Sequence, residues 1–324
     1  MYTLLELQQI IEQEINRLEL EKEPSLLYEP IRYILSIGGK RLRPALTLMA
    51  CNLFSDDIIN AISPALGLEV FHNFTLLHDD IMDKSVMRRG KATVHTKWND
   101  NVAILSGDAM CIVAYQLAMK CDKEIVHDVM EVFNYTAIKV CEGQQYDMDF
   151  EQQLSVTEDE YLKMIELKTS VLIAACLKTG AILANAPVED ANLLYSFGKN
   201  IGLAFQLQDD YLDVYGEPEV FGKNIGGDIV ANKKTYMLIK ALDLANGDLR
   251  YHLQDWISRK SFEKDEKIKT IKGIYNQLGI DKLAKQKIEF FHRTGLENLA
   301  NVNVDADRKE ELFLFAEKLI NRDK

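Results

Sequence analysis

Two copies of one acidic quintet, Asp79-Asp80-Ile81-Met82-Asp83 and Asp209-Asp210-Tyr211-Leu212-Asp213, sit inside long apolar stretches of this 324-residue chain. On an α-helix, residues four apart lie nearly above one another, so Asp79 projects with Asp83 and Asp209 with Asp213. Two carboxylates about 6 Å apart repel by about 3 kcal/mol at an effective dielectric near 20, and a second pair adds to that cost. A solvated face relieves it in most aspartate clusters. The neighbours here argue otherwise: Leu76, Leu77, Ile81 and Met82 surround the aspartates of the first quintet, and Ile201, Leu203, Ala204, Phe205, Leu207, Tyr211, Leu212 and Val214 those of the second. Helices so apolar are buried over much of their circumference, which places the aspartates along an internal cavity and requires a cation to offset them. An all-oxygen, carboxylate-rich site suits Mg²⁺, with Mn²⁺ the alternative, whereas zinc would want closely spaced His or Cys.

Magnesium held by few carboxylates completes its shell with water and substrate phosphates, so the same chain should carry phosphate-binding cations. Two clusters qualify. Gly38-Gly39-Lys40-Arg41-Leu42-Arg43-Pro44 sets three cations between a flexible glycine pair and a proline suited to the first turn of a helix. Helix N-termini and arginine forks both favour phosphate oxygens. Arg88-Arg89-Gly90-Lys91 follows Asp83 by a short loop. Each cluster alone could be a solvated turn; beside the quintets, in a chain of net charge −12, they point to a diphosphate–metal site. That acidic balance also argues against nucleic acid as a partner, since phosphate backbones need extended basic surfaces.

These motifs, taken in order as GGKRLRP, HNFTLLHDDIMD, RRG, FQLQDDYLD, GKNIGGDI and NKKT, resemble the trans-isoprenyl diphosphate synthases, also called polyprenyl synthetases, from Gly38 to Thr235. The resemblance implies an all-α fold: a single large helical bundle surrounding a central cavity, here one domain over 1–324. It implies head-to-tail condensation of isopentenyl diphosphate with an allylic diphosphate. Mg²⁺ weakens the allylic carbon–oxygen bond, the double bond of isopentenyl diphosphate attacks the cation, and diphosphate takes the released proton. It also implies a homodimer.

Carried over residue by residue, the resemblance makes Asp79, Asp83 and Asp209 metal ligands, with Asp213 joining them directly or through water and Asp80 and Asp210 in support. Gly39, Lys40, Arg43, His72 and Arg89 match contacts to isopentenyl diphosphate. Arg88, Lys168, Thr169, Gln206, Lys223 and Lys233 match contacts to the allylic diphosphate, Lys168 and Lys223 belonging to the catalytic set as well. Arg41, between the matched cations, reads as solvated, and Asp147 as a water-mediated metal partner. Phe74 and Thr75 stand about 7.5 and 6 Å along the helix from Asp79, where the growing tail should meet them, and Phe71 lies a turn deeper. An aromatic followed by a small residue at these places resembles geranylgeranyl diphosphate synthases, so a C20 product is expected, with C15 next. A class I terpene cyclase would replace the second quintet with an Asn/Ser/Glu pattern, and a non-catalytic partner subunit would lose the quintets.

Only six prolines and 47 % hydrophobic residues fit long helices without a linker. Helices are expected over 3–21, 27–37, from Ser63-Pro64 through the first quintet, and over 100–120 and 124–150. Further helices run from a Thr157/Glu160 capping box to 178, and over 188–215 and 228–245, with a glycine-rich loop at 216–227 and helix thereafter. No strand is expected. No apolar stretch of about 20 residues lacks polar breaks, and no basic-then-apolar leader opens the chain, so the expectation is a soluble, cytoplasmic protein without an integral membrane segment. The cysteines, Cys51, Cys111, Cys121, Cys141 and Cys176, read as reduced core thiols.

Overall fold

The computed structural model describes residues 1–216 and 225–320, so Lys223 and most of the expected glycine-rich loop lie outside the described residues. Within them the chain is helical almost throughout, in two compact units, each described by itself.

The first unit comprises Met1–Tyr135, Ala175–Tyr195 and Val302–Leu312. A Thr3–Glu6 capping box starts α1 (Leu4–Asn16), which buries Leu7, Ile11 and Ile15 on one stripe. The expected extension to residue 21 fails because a continued helix would turn Leu20 about 140° from Ile15, whereas Leu20 is buried too. Next come α2 (Ser25–Ser36), α3 (Leu42–Phe54) and α4 (Ile59–Met82), the helix of the first quintet. Contrary to the sequence reading, α4 does not open at Pro64: it starts five residues earlier. The hydrogen bond that proline forgoes is the one to the carbonyl of Asn60, an exposed residue that water serves. After α4 a hairpin forms, β1 (Met87–Arg88) against β2 (Lys91–Ala92), where no strand was expected. Two-residue strands are too short for alternation to register. The turn does the work, Arg89 at φ 50 and Gly90 at φ 75 matching the right-handed twist of a tight hairpin.

The short α5 (Val94–Lys97) leads to α6 (Asp100–Ala118), which packs along α4 more extensively than any other helix and also meets α2. Among the described residues α6 alone is long and apolar enough by length and composition to cross a membrane, with mean hydropathy 1.3. It nevertheless carries Asp100 and Asp108 and has its inner face on α4.

The second unit comprises Thr136–Ala174, Ser196–Asn301 and the chain from Phe313; the boundary with the first falls inside α7 (Val126–Gln152), α9 (Val171–Leu183), α10 (Val188–Tyr215) and α16 (Ala306–Ile320). The Thr157–Glu160 capping box is present and opens α8 (Glu158–Ile165). The expected unbroken helix to 178 is instead interrupted by a π-turn at Glu166–Ser170, which holds Lys168 and Thr169. Gly143 lets this turn approach α7, because a Cβ there would lie 2.2 Å from the Lys168 backbone nitrogen. Past the undescribed segment, α11 (Gly227–Ala231) stops at Asn232, left-handed at φ 54, so the expected 228–245 helix breaks before α12 (Tyr236–Leu244). Then follow α13 (Gly247–Ser258), α14 (Lys264–Leu278) and α15 (Ile280–Ala300). Leu203, Ala204, Leu207, Tyr211, Leu212 and Val214 of α10 enter the core of this unit with residues of α12, α14 and α15.

All five cysteines are free. Cys51 and Cys176 are buried, and burial pushes their thiols up to about 11 and about 12. Cys141 is exposed on α7, so the expectation of core thiols does not hold for it.

Candidate functional site

In the first unit the basic loop, α4 and the hairpin converge. Arg89 donates through Nη1 to the Gly38 carbonyl, its guanidinium filling the space a Gly39 Cβ would need. Lys40 is exposed, and its carbonyl accepts from Gln8. Arg43 lies on α3 with Nη1 3.0 Å from Nε2 of His72. A guanidinium has no acceptor, so that His72 nitrogen is unprotonated. Desolvation, then Arg43 and the other arginines nearby, hold the His72 pKa well below its ordinary value. The Nε of Arg43 is buried with no hydrogen-bond partner, the kind of orphan donor an anion satisfies.

Arg41 corrects the sequence reading. It is 4 % exposed rather than solvated, left-handed at φ 47, with Nε on Glu12 at 2.9 Å, Nη1 on Glu69 at 3.0 Å and Nη2 on the Leu35 carbonyl at 2.6 Å. Burial opposes its charge, but the Glu12 hydrogen bond and the Glu69 charge hold its pKa above the ordinary value. Glu69 also accepts from Asn73. The loop is thereby pinned to α1 and α4 through Arg41, while Lys40 beside it is exposed.

In the first quintet Asp79 is half-buried and Asp83 exposed at the C-cap of α4, where the helix dipole also favours a cation. Asp80 is buried, and Arg88 grips both its oxygens at 2.8 Å. Deeper on α4, Thr75 donates to the His72 carbonyl at 2.8 Å. Phe74 and Phe71 begin a run of rings: Phe74 to Phe71 at 5.5 Å, Phe71 to Phe133 of α7 at 5.2 Å, and Phe133 to Tyr115 of α6 at 4.7 Å. Phe133 and Tyr115 escaped the sequence reading, since nothing in their spacing separates them from ordinary core aromatics.

In the second unit Asp209 and Asp213 are half-buried and Asp210 is buried. Asp210 accepts from the Tyr161 hydroxyl at 2.5 Å and from Gln206 Nε2 at 3.0 Å; desolvation raises its pKa against the pull of Lys233. Gln206 in turn accepts from Thr169 at 3.2 Å. Tyr161 was not anticipated; its hydroxyl, held far above its usual pKa by burial and by Asp210, stays a donor. Lys168 reaches Asp147 at 2.5 Å. Asp213 accepts the Asp228 amide at 2.9 Å, and Lys233 is exposed just beyond α11.

The donors fit the metal reading in kind. Each quintet offers two half-buried or exposed carboxylates four residues apart, while its second aspartate is buried. Among the described residues the one trio of close candidate ligands lies elsewhere, at exposed His127, Asp128 and Glu131. Exposed acidic groups commonly gather without an ion, so it carries no assignment.

Comparison with known proteins gives the family. The Polyprenyl synthetase family pattern matches residues 24–275. The short chain isoprenyl diphosphate synthase of Methanothermobacter thermautotrophicus is 36 % identical, covering 93 % of this chain and 91 % of its own. The geranylgeranyl diphosphate synthase of Methanosarcina mazei is 44 % identical over 68 % of each. A crystal structure of a geranylgeranyl pyrophosphate synthase superposes with a TM-score of 0.95 over the whole of both chains at 44 % identity. Motif order, helical architecture and full-length likeness thus converge, and the chain belongs to the polyprenyl synthetase family.

Proposed function

We propose that this chain is a Mg²⁺-dependent isoprenyl diphosphate synthase that condenses isopentenyl diphosphate head to tail with allylic diphosphates, and that geranylgeranyl diphosphate is its main product. Its relatives of similar length carry such names. The observation that carries the reading is the division of labour within each quintet. Asp80 and Asp210 are buried and held by Arg88, Tyr161 and Gln206, whereas the first and fifth aspartates stand closer to solvent, half-buried or exposed.

In this reading Asp79, Asp83, Asp209 and Asp213 hold the metal, which when bound draws charge from the departing diphosphate. Arg88, Lys168, Thr169, Gln206, Lys233 and, outside the described residues, Lys223 hold the allylic diphosphate. Lys168 must exchange Asp147 for phosphate oxygens, a swap of one charge-assisted bond for another. Gly39, Lys40, Arg43, His72 and Arg89 hold isopentenyl diphosphate, with the orphaned Arg43 Nε as the donor that an anion completes. Neutral His72 supports this by accepting from Arg43 without adding a charge. Phe74, Thr75 and Phe71 limit the tail, and the ring contact from Phe71 to buried Phe133 stiffens that limit.

The chain acts as one catalytic domain in the cytoplasm and as a homodimer. Support for the dimer comes from α6, whose Leu105 and Ile112 are 60 % and 61 % exposed and, with Met119, repeat every seven residues along one face. Such an apolar stripe is covered most simply by a second copy of itself. The test of the activity is incubation with Mg²⁺, radiolabelled isopentenyl diphosphate and each of the C5, C10 and C15 allylic diphosphates. Elongation of all three to a C20 end product is expected. A product that stops at C15 would replace the length assignment, and cyclised hydrocarbon formed without isopentenyl diphosphate would replace the activity with that of a terpene cyclase.

A further inference from the structure

Lys267 of α14 is completely buried, an uncommon place for an ammonium. Its Nζ donates to the Val230 carbonyl at 3.1 Å and to the side-chain oxygen of Asn232 at 2.7 Å, and it lies 4.2 Å from the centre of the Phe262 ring. Both acceptors are neutral, so burial lowers its pKa with no carboxylate to offset the loss. A methionine would fill the same space without that cost, which points to a task beyond packing.

The two acceptors bracket the end of α11. Asn232 stops the helix in its left-handed conformation and donates through Nδ2 to the Ile257 carbonyl at 3.0 Å. From this fixed corner the Lys233 amide returns to the Asp228 carbonyl at 3.0 Å, and the Thr235 amide donates to the Lys233 carbonyl at 2.8 Å. At the other end of the segment, the Asp228 amide donates to Asp213 Oδ2 at 2.9 Å and the Gly226 amide to the Asp213 carbonyl at 2.6 Å. Helix α14 braces both ends, because Ile268 stands 2.6 Å from where a Gly226 Cβ would be, and Lys267 binds the Asn232 corner. Residues 226–233 therefore link the last aspartate of the second quintet to Lys233, and Lys267 clamps the far end.

We infer that Lys267 is a positioning residue for the allylic-diphosphate side of the reaction, holding Lys233 and Asp213 in register through the 226–233 segment while touching neither. The inference rests on the proposed function, which assigns those two groups to diphosphate and metal. Chemically, its object is the pairing of one cation and one carboxylate around a diphosphate. A purely structural lysine would affect all substrates alike; this one should affect one of the two.

The experiment uses the full chain with Lys267→Met and, separately, Asn232→Ala. The second is milder because Asn232 is only half-buried and Lys267 keeps Val230. For each variant, KM is measured for farnesyl diphosphate and for isopentenyl diphosphate with the other saturating, beside the melting temperature. Binding of unreactive farnesyl thiolodiphosphate with Mg²⁺ is measured by calorimetry. Misplacement of a binding group by a fraction of an ångström should raise the farnesyl KM and the analogue Kd about tenfold while the isopentenyl KM stays within about twofold. Wild-type farnesyl affinity in both variants, or equal shifts in both KM values, would overturn the inference. If Lys267→Met does not fold, Asn232→Ala decides by the same criteria. A wild-type chain that elongates nothing overturns the functional reading itself, an outcome distinct from an active wild type with indifferent variants.

Discussion

Arg41 turns its charge inward, onto Glu69 and Glu12, while Lys40 beside it is exposed. Removing one partner of a buried ion pair strands the other, so Arg41→Met should destabilise the protein by about 3–5 kcal/mol in chemical denaturation. The double change Arg41→Met, Glu69→Leu should recover most of that loss, because no unpaired buried charge remains and Glu12, left alone, is exposed to water. The sequence could not distinguish Arg41 from Lys40, since the two are adjacent cations and only the left-handed turn at Arg41 decides that it faces the glutamates. His72 makes a pH prediction. Its folded pKa is depressed, so between the ordinary histidine value near 6.5 and that lower value the unfolded chain binds a proton that the folded one refuses. Stability is therefore complete above about pH 6.5 and falls as the pH drops below it, by up to about 1.4 kcal/mol per pH unit from this group. In His72→Gln the acid limb of a stability–pH curve should be shallower by that amount; an unchanged limb would show that His72 titrates normally.

At the scale of the element, α4 carries the first quintet at one end and Phe74 and Phe71 one to two turns back. Phe71 is buried against Phe133, whereas Phe74 is half-buried and touches Phe71 and His78. Phe74 is therefore the ring a growing tail reaches first, and Phe74→Ala should shift the main product up by at least one five-carbon unit on chain-length analysis. An unchanged product distribution would remove Phe74 as the stop. The helices that carry the aspartates were legible because long apolar runs with a 3.6-residue period are strong signals, and α10 matches its expected span. Elements set by a few dihedrals were not. The hairpin at Arg89-Gly90, the π-turn at Lys168-Thr169 and the break at Asn232 all depend on local backbone conformations that hydrophobic pattern does not encode. All three fall on or beside residues assigned here to substrate. The motif residues were picked out from the sequence; Tyr161, Phe133 and Lys267 were not, because the two aromatics have the spacing of ordinary core rings and Lys267 sits in a charged run, Lys264-Asp265-Glu266-Lys267, that gives no sign of burial.

For the whole molecule, the exposed stripe on α6 predicts association. Ile112→Glu places a charge in the centre of that stripe and should convert a dimer to a monomer in light scattering, with little change in helical content. A dimer of unchanged mass would place the interface elsewhere. The role of the aspartates is tested by turnover of farnesyl diphosphate with isopentenyl diphosphate as Mg²⁺ is removed by excess chelator and restored, in the wild type and in Asp79→Asn. Geranylgeranyl diphosphate formation should vanish with chelator, return with Mg²⁺, and fall by about a thousandfold in Asp79→Asn; undiminished turnover in excess chelator, or in the variant, would show that these aspartates do not act through a metal.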